Sequence, residues 1–172
     1  MSNLDSALDH LIALVGDGYR DATRPDVREH KVDLTEVIQD ALSVVDLGEA
    51  AFVEFDRAGD ELRVAANVGE IRQIFVNILA NAKKFAPDCR VVIRVHSEDL
   101  IRITISDEGP GIPEAEREDV FKRHHRLGET APGQGLGLSI SRRLAEANGG
   151  ALYVSESELG GATFVVELPH AR

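Results

Sequence analysis

Asn67-Val-Gly-Glu70-Ile-Arg-Gln-Ile-Phe75-Val-Asn77-Ile-Leu-Ala-Asn81-Ala-Lys-Lys84-Phe85 is the stretch on which the reading of this chain turns. It predicts one long helix. Asn67 and Glu70 have capping-box spacing, in which side chains satisfy N–H groups of the first turn that have no partner within the helix. Pro87 stops it. At about 100° per residue, Ile71, Ile74, Phe75, Ile78, Ala82 and Phe85 gather on one side, and Glu70, Gln73, Asn77, Asn81 and Lys84 align along the adjacent stripe. Asparagine is a poor helix former that prefers caps. Two of them one turn apart, with a lysine one turn further, need an explanation. One reading is a polar groove whose amide oxygens hold a hydrated Mg²⁺ while the lysine holds phosphate. The other is an exposed helical face carrying two indifferent asparagines.

Outward from this helix, apolar runs alternate between helical and strand periods. Upstream, Asp33 and Glu36 open a second amphipathic helix with Leu34, Val37, Ile38, Ala41, Leu42 and Val45 as its buried stripe. Phe52–Phe55 and Leu62–Ala65 read as two short strands around a turn at Gly59. Downstream, Arg90–His96 and Leu100–Ser106 read as central strands joined by a tight polar turn. Residues 107–133 are irregular, with a short helix around Glu114–Phe121. A third helix runs from about Gln134 to Asn148, where Gly149 and Gly150 end it. Two strands near Leu152–Ser155 and Thr163–Leu168 close the chain, separated by Gly160-Gly161. At the other end, Leu4, Leu8, Leu11 and Val15, with Ile12 beside them, form a narrow seam of about two heptads. Gly16 and Gly18 break it, and a polar stretch containing Pro25 follows as a linker. Residues 1–30 are therefore expected to be an N-terminal helix and linker, and 31–172 one domain. The mixed order predicts an α/β (α+β) two-layer sandwich: a mixed, mostly antiparallel sheet with helices on one face.

Composition narrows the function classes. The 172 residues suit a single core. Thirty acidic against 19 basic residues give a net charge of −11, with a pI near 4.9, which opposes general affinity for nucleic acid or anionic lipid. With no Trp and 5% aromatic residues, a stacking platform for single strands is not expected. Cys89 is the only cysteine, which excludes a disulfide framework and a cysteine-rich zinc site. No apolar run approaches the roughly 20 residues of a membrane span, and the N-terminus lacks a basic-then-apolar signal. A soluble cytoplasmic domain is the expectation.

Two glycine loops stand out. Asp107-Glu-Gly109-Pro-Gly111 follows directly on a strand, and its glycines permit close approach of a ligand. A carboxylate at a strand end can accept a hydrogen bond from an exocyclic amine; it can equally cap a Gly-Pro-Gly surface turn. Gly133-Gln-Gly135-Leu-Gly137 leads into a helix, whose first N–H groups form an anion site. GxxxxGK[ST] is absent, as is a third glycine for a dinucleotide fingerprint, and no H-R-D or D-F-G set occurs.

Taken in order, these segments resemble the ATP-binding catalytic domains of bacterial sensor histidine kinases, within the Bergerat-fold group that includes gyrase, the Hsp90 chaperone and MutL. The resemblance covers roughly residues 30–172. Asn77-Ile-Leu-Ala-Asn81-Ala-Lys-Lys84-Phe85 is similar to the family's N box, and Asp107–Gly111 to its first glycine box. Val120-Phe121-Lys-Arg-His-His-Arg126 is similar to the F box, and Gly133–Leu138 to the second glycine box. Gly160-Gly161-Ala-Thr163-Phe164 resembles the closing strand motif. Four boxes in order outweigh the bland reading of each one.

The resemblance implies ATP and Mg²⁺ as ligands, Asn81 as the Mg²⁺ ligand and Lys84 as a phosphate contact. Phe85 would pack at the adenine, and Asp107 would accept from its amine. Gly133, Gln134, Gly135, Leu136, Gly137 and Leu138 would wrap the phosphates. Asn77, Gly109, Gly111, Ile112, Arg126 and Thr163 complete the expected nucleotide site, under a lid formed by residues 112–132. ATPases of the group carry a glutamate four residues before the metal-binding asparagine, where it activates water. Asn77 stands there and cannot accept a proton at neutral pH. The implied reaction is transfer of the γ-phosphoryl group to a histidine on a separate dimerisation domain or chain, with a response regulator downstream.

None of the six histidines has the His-Glu-x-Arg-x-Pro neighbourhood of the family's acceptor. His10 is followed by Leu11, so residues 3–16 read instead as the end of a dimerisation domain, able to support only a weak homodimer. His124 stands where the F box usually has a second aromatic residue. Adjacent residues on a helix diverge by about 100°, so His124 and His125 are not expected to share a metal ion. The alternatives are a non-catalytic nucleotide-binding module, opposed by the intact boxes, and a gyrase- or chaperone-type hydrolase, opposed by Asn77.

Overall fold

A computed structural model describes residues 31–47, 51–55, 62–125 and 135–171. The expected N-terminal seam, the linker and the turn at Gly59 lie outside them. The elements are β1 (Lys31–Asp33), α1 (Leu34–Val45), β2 (Ala51–Phe55), β3 (Arg63–Ala65), α2 (Val68–Phe85), β4 (Val91–Ser97), β5 (Ile101–Asp107), α3 (Gly137–Ala147), β6 (Ala151–Ser155) and β7 (Thr163–Leu168). Two single 3₁₀ turns, Glu114–Glu116 and Asp119–Phe121, replace the short helix expected there.

Five strands form one mixed sheet in the order β2-β4-β5-β7-β6, antiparallel except for the parallel pair β2–β4. Alternation along each strand sends every second side chain to one face. Ile93 lies opposite Ile105 and Ile105 opposite Phe164, while Ile103 faces Val166 and Val166 faces Leu152. These side chains form one core with Leu34, Ile38 and Ala41 of α1 and Ile71, Ile74, Phe75 and Ile78 of α2, all buried. The helices thus lie on one face of the sheet, as the sequence predicts.

The runs on either side of Gly59 are both strands, as the sequence reads, but they do not pair with each other. β2 joins the main sheet parallel to β4, and β3 pairs antiparallel with β1 in a separate two-stranded sheet. Parallel neighbours need a long crossover, and α2 supplies it between β2 and β4. The central strands also sit one residue later than expected, which makes Asp107 the last residue of β5.

The helix ends show how α2 is fixed. Asn67 Oδ1 accepts from the N–H groups of Gly69 and Glu70 at 2.9 and 3.2 Å, as a capping residue should. The reciprocal half of the box is not made by Glu70. Asn148, at the end of α3, supplies it: the Asn67 N–H donates to Asn148 Oδ1 at 3.1 Å, and Asn148 Nδ2 donates to Glu70 Oε2 at 2.7 Å. The start of α2 is therefore tied to the end of α3. Phe85, which the helical period groups with the apolar side, is 41% exposed.

Candidate functional site

α2 positions the candidate site along its length. Near its middle, Asn77 is only 2% exposed. Asn77 Nδ2 donates to Gly137 O at 3.1 Å and to Ser141 Oγ at 2.9 Å, and its Oδ1 accepts from Gln73 Nε2 at 2.8 Å. The start of α3 thus rests on the middle of α2. At the far end, a Cβ on Gly109 would lie 2.8 Å from Ala86 Cβ, so the first glycine loop rests on the residue that ends α2. Nine residues separate Asn77 from Ala86, about 14 Å at 1.5 Å per residue. Asn81, Lys84 and Phe85 lie between the two contacts.

Asn81 and Asn77 are treated differently. The Asn81 side chain is half-buried, and its amide makes no hydrogen bond among the described residues. An uncommitted amide oxygen on a polar stripe suits Mg²⁺, which prefers oxygen donors and keeps several waters. Lys84 is exposed, with its ammonium 4.9 Å from the centre of the Phe85 ring.

Asp107 anchors the other end. It is 6% exposed, and its Oδ1 accepts from the N–H groups of Gly109 at 2.9 Å and Ala162 at 3.0 Å. Its own N–H donates to Ala162 O at 2.9 Å. Among the described residues both side-chain bonds fall on Oδ1, which leaves Oδ2 as the acceptor for a ligand. The segment carrying Ala162 approaches so closely that a Cβ on Gly161 would lie 2.2 Å from Asp107 O and 2.4 Å from Oδ1. Only glycine fits there. Thr163, expected in the nucleotide site, is buried with its hydroxyl 2.9 Å from that of Ser106. Ser106 and Asp107 are consecutive in β5 and point to opposite faces, so the Thr163 hydroxyl is committed away from the Asp107 carboxylate.

The second glycine loop is described from Gly135 onward; Arg126, Gly133 and Gln134 lie outside the described residues. Gly135 has φ +67°, and a Cβ there would lie 2.6 Å from His125 O. The His124 N–H donates to Gly135 O at 2.9 Å, with His124 itself at φ 61°. The last described residues of the expected lid are therefore stitched to the glycine loop. Arg142 of α3 holds the preceding turn, with its guanidinium 5.0 Å from the centre of the Phe121 ring and 2.8 Å from Glu118 Oε2. Leu136 occupies the N-cap of α3 without a side-chain cap. Ser139 Oγ instead donates back to Leu136 O at 2.8 Å, so among the described residues no side chain caps the first N–H groups of α3. Ile112 and Leu138 are half-buried against the core, and Gly111 lies against Gly161 O.

Ligand atoms of Glu116, Asp119 and His125 lie within 4.8 Å of one another, and His124 is not among them. Its members already have partners: His125 Nε2 is 2.9 Å from Glu116 Oε2, and Asp119 Oδ1 is 2.6 Å from Lys122 Nζ. That lysine lowers the Asp119 carboxyl below its usual range, chiefly by hydrogen bonding.

The fold thus brings Asn77, Asn81, Lys84 and Phe85 onto one helix, with Gly109 and Gly137 against it. Sequence reasoning missed Ser141, Gln73 and Ala162 as partners in this arrangement. Ser141 carried a faint signal, a small polar residue on the apolar side of α3. Ala162 carried none, because it acts through its backbone.

The sequence profile described as histidine kinase-, DNA gyrase B- and HSP90-like ATPase matches residues 66–172. The sensor protein KdpD of Mycobacterium tuberculosis is 32% identical over 98% of this chain and 21% of its own length. The signal transduction histidine-protein kinase/phosphatase MprB of Mycobacterium sp. (strain KMS) is 36% identical over 94% of this chain and 33% of its own. The chain therefore spans a fifth to a third of these relatives. Among solved structures, a mycobacterial sensor histidine kinase MprB superposes with a TM-score of 0.70 at 32% identity, covering 83% of this chain and 99% of that one. Full-length ShkA in complex with AMPPNP gives a TM-score of 0.75 at 27% identity, over 96% of this chain and 37% of that one.

Proposed function

We propose, since this chain belongs to the family of histidine kinase-, DNA gyrase B- and HSP90-like ATPases and carries the ATPase domain of two-component sensor kinases, that it binds Mg-ATP and transfers the γ-phosphoryl group to a histidine on a separate helical domain or chain. The observation that carries this reading is the arrangement on α2, with the uncommitted Asn81 amide and Lys84 between the glycine loops resting at Asn77 and Ala86.

Each group then has a role its surroundings support. Asp107 Oδ2 accepts from the exocyclic amine of adenine, while the two N–H groups on Oδ1 hold the carboxylate in place. The exposed Phe85 ring covers the base. Asn81 holds Mg²⁺, which neutralises charge on the phosphate oxygens when bound. Lys84 and the first N–H groups of α3 receive the phosphates; free N–H groups at a helix start favour anions. Nothing at position 77 can take a proton from water, because Asn77 carries an amide. The group that attacks is an imidazole nitrogen, which forms the N–P bond as the bond from phosphorus to the β,γ-bridging oxygen breaks and ADP leaves.

In this reading the acceptor is a histidine on a separate helical domain or chain, and a response regulator takes the phosphoryl group onward. A cytoplasmic location suits this role; among the described residues no helix is long and apolar enough to cross a membrane. Residues 3–16 would add at most a weak homodimer contact, and no nucleic-acid partner is expected at this charge. The test is transfer of label from γ-labelled ATP to a supplied histidine-bearing dimerisation domain. An acid-labile phosphohistidine on that domain, dependent on Mg²⁺ and lost with Asn81→Ala, is the expected result. ATP binding without transfer would favour a nucleotide-binding module instead, and steady ATP turnover by the chain alone would favour a hydrolase.

A further inference from the structure

The Asn77 amide makes three hydrogen bonds among the described residues, one to Gln73 of its own helix and two to α3. Its environment is dry: Asn77 is 2% exposed and Ser141 0%. Gln73 Nε2 donates to Oδ1 at 2.8 Å, and Gly137 O, which can only accept, fixes the other end of the amide as the donor. Both Nδ2 protons then point at α3, one to Gly137 O at 3.1 Å and one to Ser141 Oγ at 2.9 Å. The acceptors are spaced four residues apart, one turn of α3, so the amide grips the helix at its first turn and at the next.

We propose that Asn77 and Ser141 form a buried brace that sets the position of the first turn of α3 against the Asn81–Lys84 stripe, so that Asn77 serves phosphate binding as a positioning residue rather than as a ligand. The proposal rests on the nucleotide-binding reading above. Hydrogen bonds from the backbone N–H groups of that turn are directional, and a displacement of about one ångström breaks them. Apolar packing alone is non-directional and leaves a helix room to slide along its neighbour. The tie between Asn148 and the start of α2 holds the opposite end of α3, which leaves the Asn77 grip to fix the end that faces the phosphates. A carboxylate at position 77 would set an oxygen against Gly137 O, where the amide now donates. The brace therefore also disfavours a proton-accepting side chain at this position.

The test is a double-mutant cycle on the full chain with Asn77→Ala, Ser141→Ala and the pair. Binding of Mg-ATP and of adenosine is read by competition against a fluorescent ATP analogue. Each single variant is expected to lose about five- to tenfold in Mg-ATP affinity, the scale of one buried hydrogen bond. The pair is expected to lose no more than about twice the larger single loss, because the two act as one unit. Adenosine affinity should stay within about twofold throughout, since only the phosphate end is displaced. Multiplicative losses in the pair would overturn the proposal. So would parental Mg-ATP affinity in Ser141→Ala, which would make Asn77 a direct ligand, and so would equal losses for adenosine and ATP, which would make the network a general support of the fold. If Asn77→Ala does not fold, Ser141→Ala decides alone on the same adenosine-against-ATP split. A parent chain that binds no Mg-ATP would defeat the nucleotide reading itself. An intact parent with a failed cycle defeats the brace only.

Discussion

Asp107 lies almost wholly buried, with one carboxylate oxygen held by two backbone N–H groups. Lys84 and Phe85, at the end of α2, stand exposed, and the Asn81 amide beside them has no partner among the described residues. The first region is made of backbone, glycine and one buried carboxylate; the second is made of half-buried and exposed side chains on one helix. The contrast teaches where the fold and the function overlap. A rigid pocket can discriminate one base edge from another, because a wrong group leaves a buried polar atom unpaired. A triphosphate with its cation needs groups that can close around a mobile charge. Damage to the first region should therefore unfold and disarm the protein together, whereas damage to the second should disarm it alone.

The strongest test of that contrast is Gly161→Ala. The new Cβ would fall 2.2 Å from Asp107 O, so β5 and the loop before β7 must separate. Stability should fall by about 2–3 kcal/mol, the range of overpacking that moves backbone, and adenosine and ATP affinity should fall together. Thermal unfolding and nucleotide titration would measure both. A stable variant with parental affinity would show that the Asp107 region is not closed as described.

Next in size is Asn81→Ala. It breaks no hydrogen bond among the described residues, so unfolding should stay within about 0.5 kcal/mol of the parent. Mg-ATP affinity should fall by about tenfold or more while ATP affinity in the absence of magnesium is unchanged. Titration with and without Mg²⁺ measures this, and a variant that keeps its magnesium dependence would remove Asn81 from the metal. Asp107→Asn sharpens the comparison from the other side. The Oδ1 bonds survive, but the second oxygen becomes an NH₂ group that meets the adenine amine donor to donor. ATP should lose about tenfold, at the scale of one unmade buried hydrogen bond, and the preference over GTP should shrink. Unchanged preference would place adenine recognition elsewhere.

The two regions also differed in how far sequence could reach them. α2 was legible in detail, since the 3.6-residue period of its apolar side and the Asn67 cap are local facts, and the structure starts and ends it at Val68 and Phe85. The placing of Asp107 at a strand end was legible because Ile101, Ile103 and Ile105 alternate up to it. The pairing of β2 with β4 was not, because which strand a five-residue run joins is decided by α2 crossing the sheet and not by its own residues. Nor was the grip of Asn77 on Ser141, 64 residues away in sequence. Spacing showed that Asn77 shares a stripe with Asn81; it could not show that a neighbouring helix had already taken up its amide. Glu70 is a similar case, since its capping role passes to Asn148 only once α3 has docked.

The smallest effect comes from the sheet away from both regions, and it serves as the reference. Tyr153 donates its hydroxyl to Glu167 Oε1 at 3.0 Å, and Arg102 Nε lies 2.9 Å from the same oxygen. Burial, then the bond to Glu167, raises the Tyr153 phenol above its ordinary value. Raised in the folded state, such a group contributes stability that is complete below the unfolded value of about 10 and is lost as pH rises through the folded value. Tyr153→Phe removes the titration. The parent should therefore lose more of its stability than the variant between neutral pH and the region above about pH 10, as followed by chemical unfolding at a series of pH values. ATP affinity at neutral pH should be the same in both, because neither the carboxylate of Asp107 nor the stripe on α2 touches this trio. A drop in affinity would mean that strain in the outer face of the sheet reaches Asp107 through β5, and the division between a buried end and an exposed end would then extend across the whole sheet.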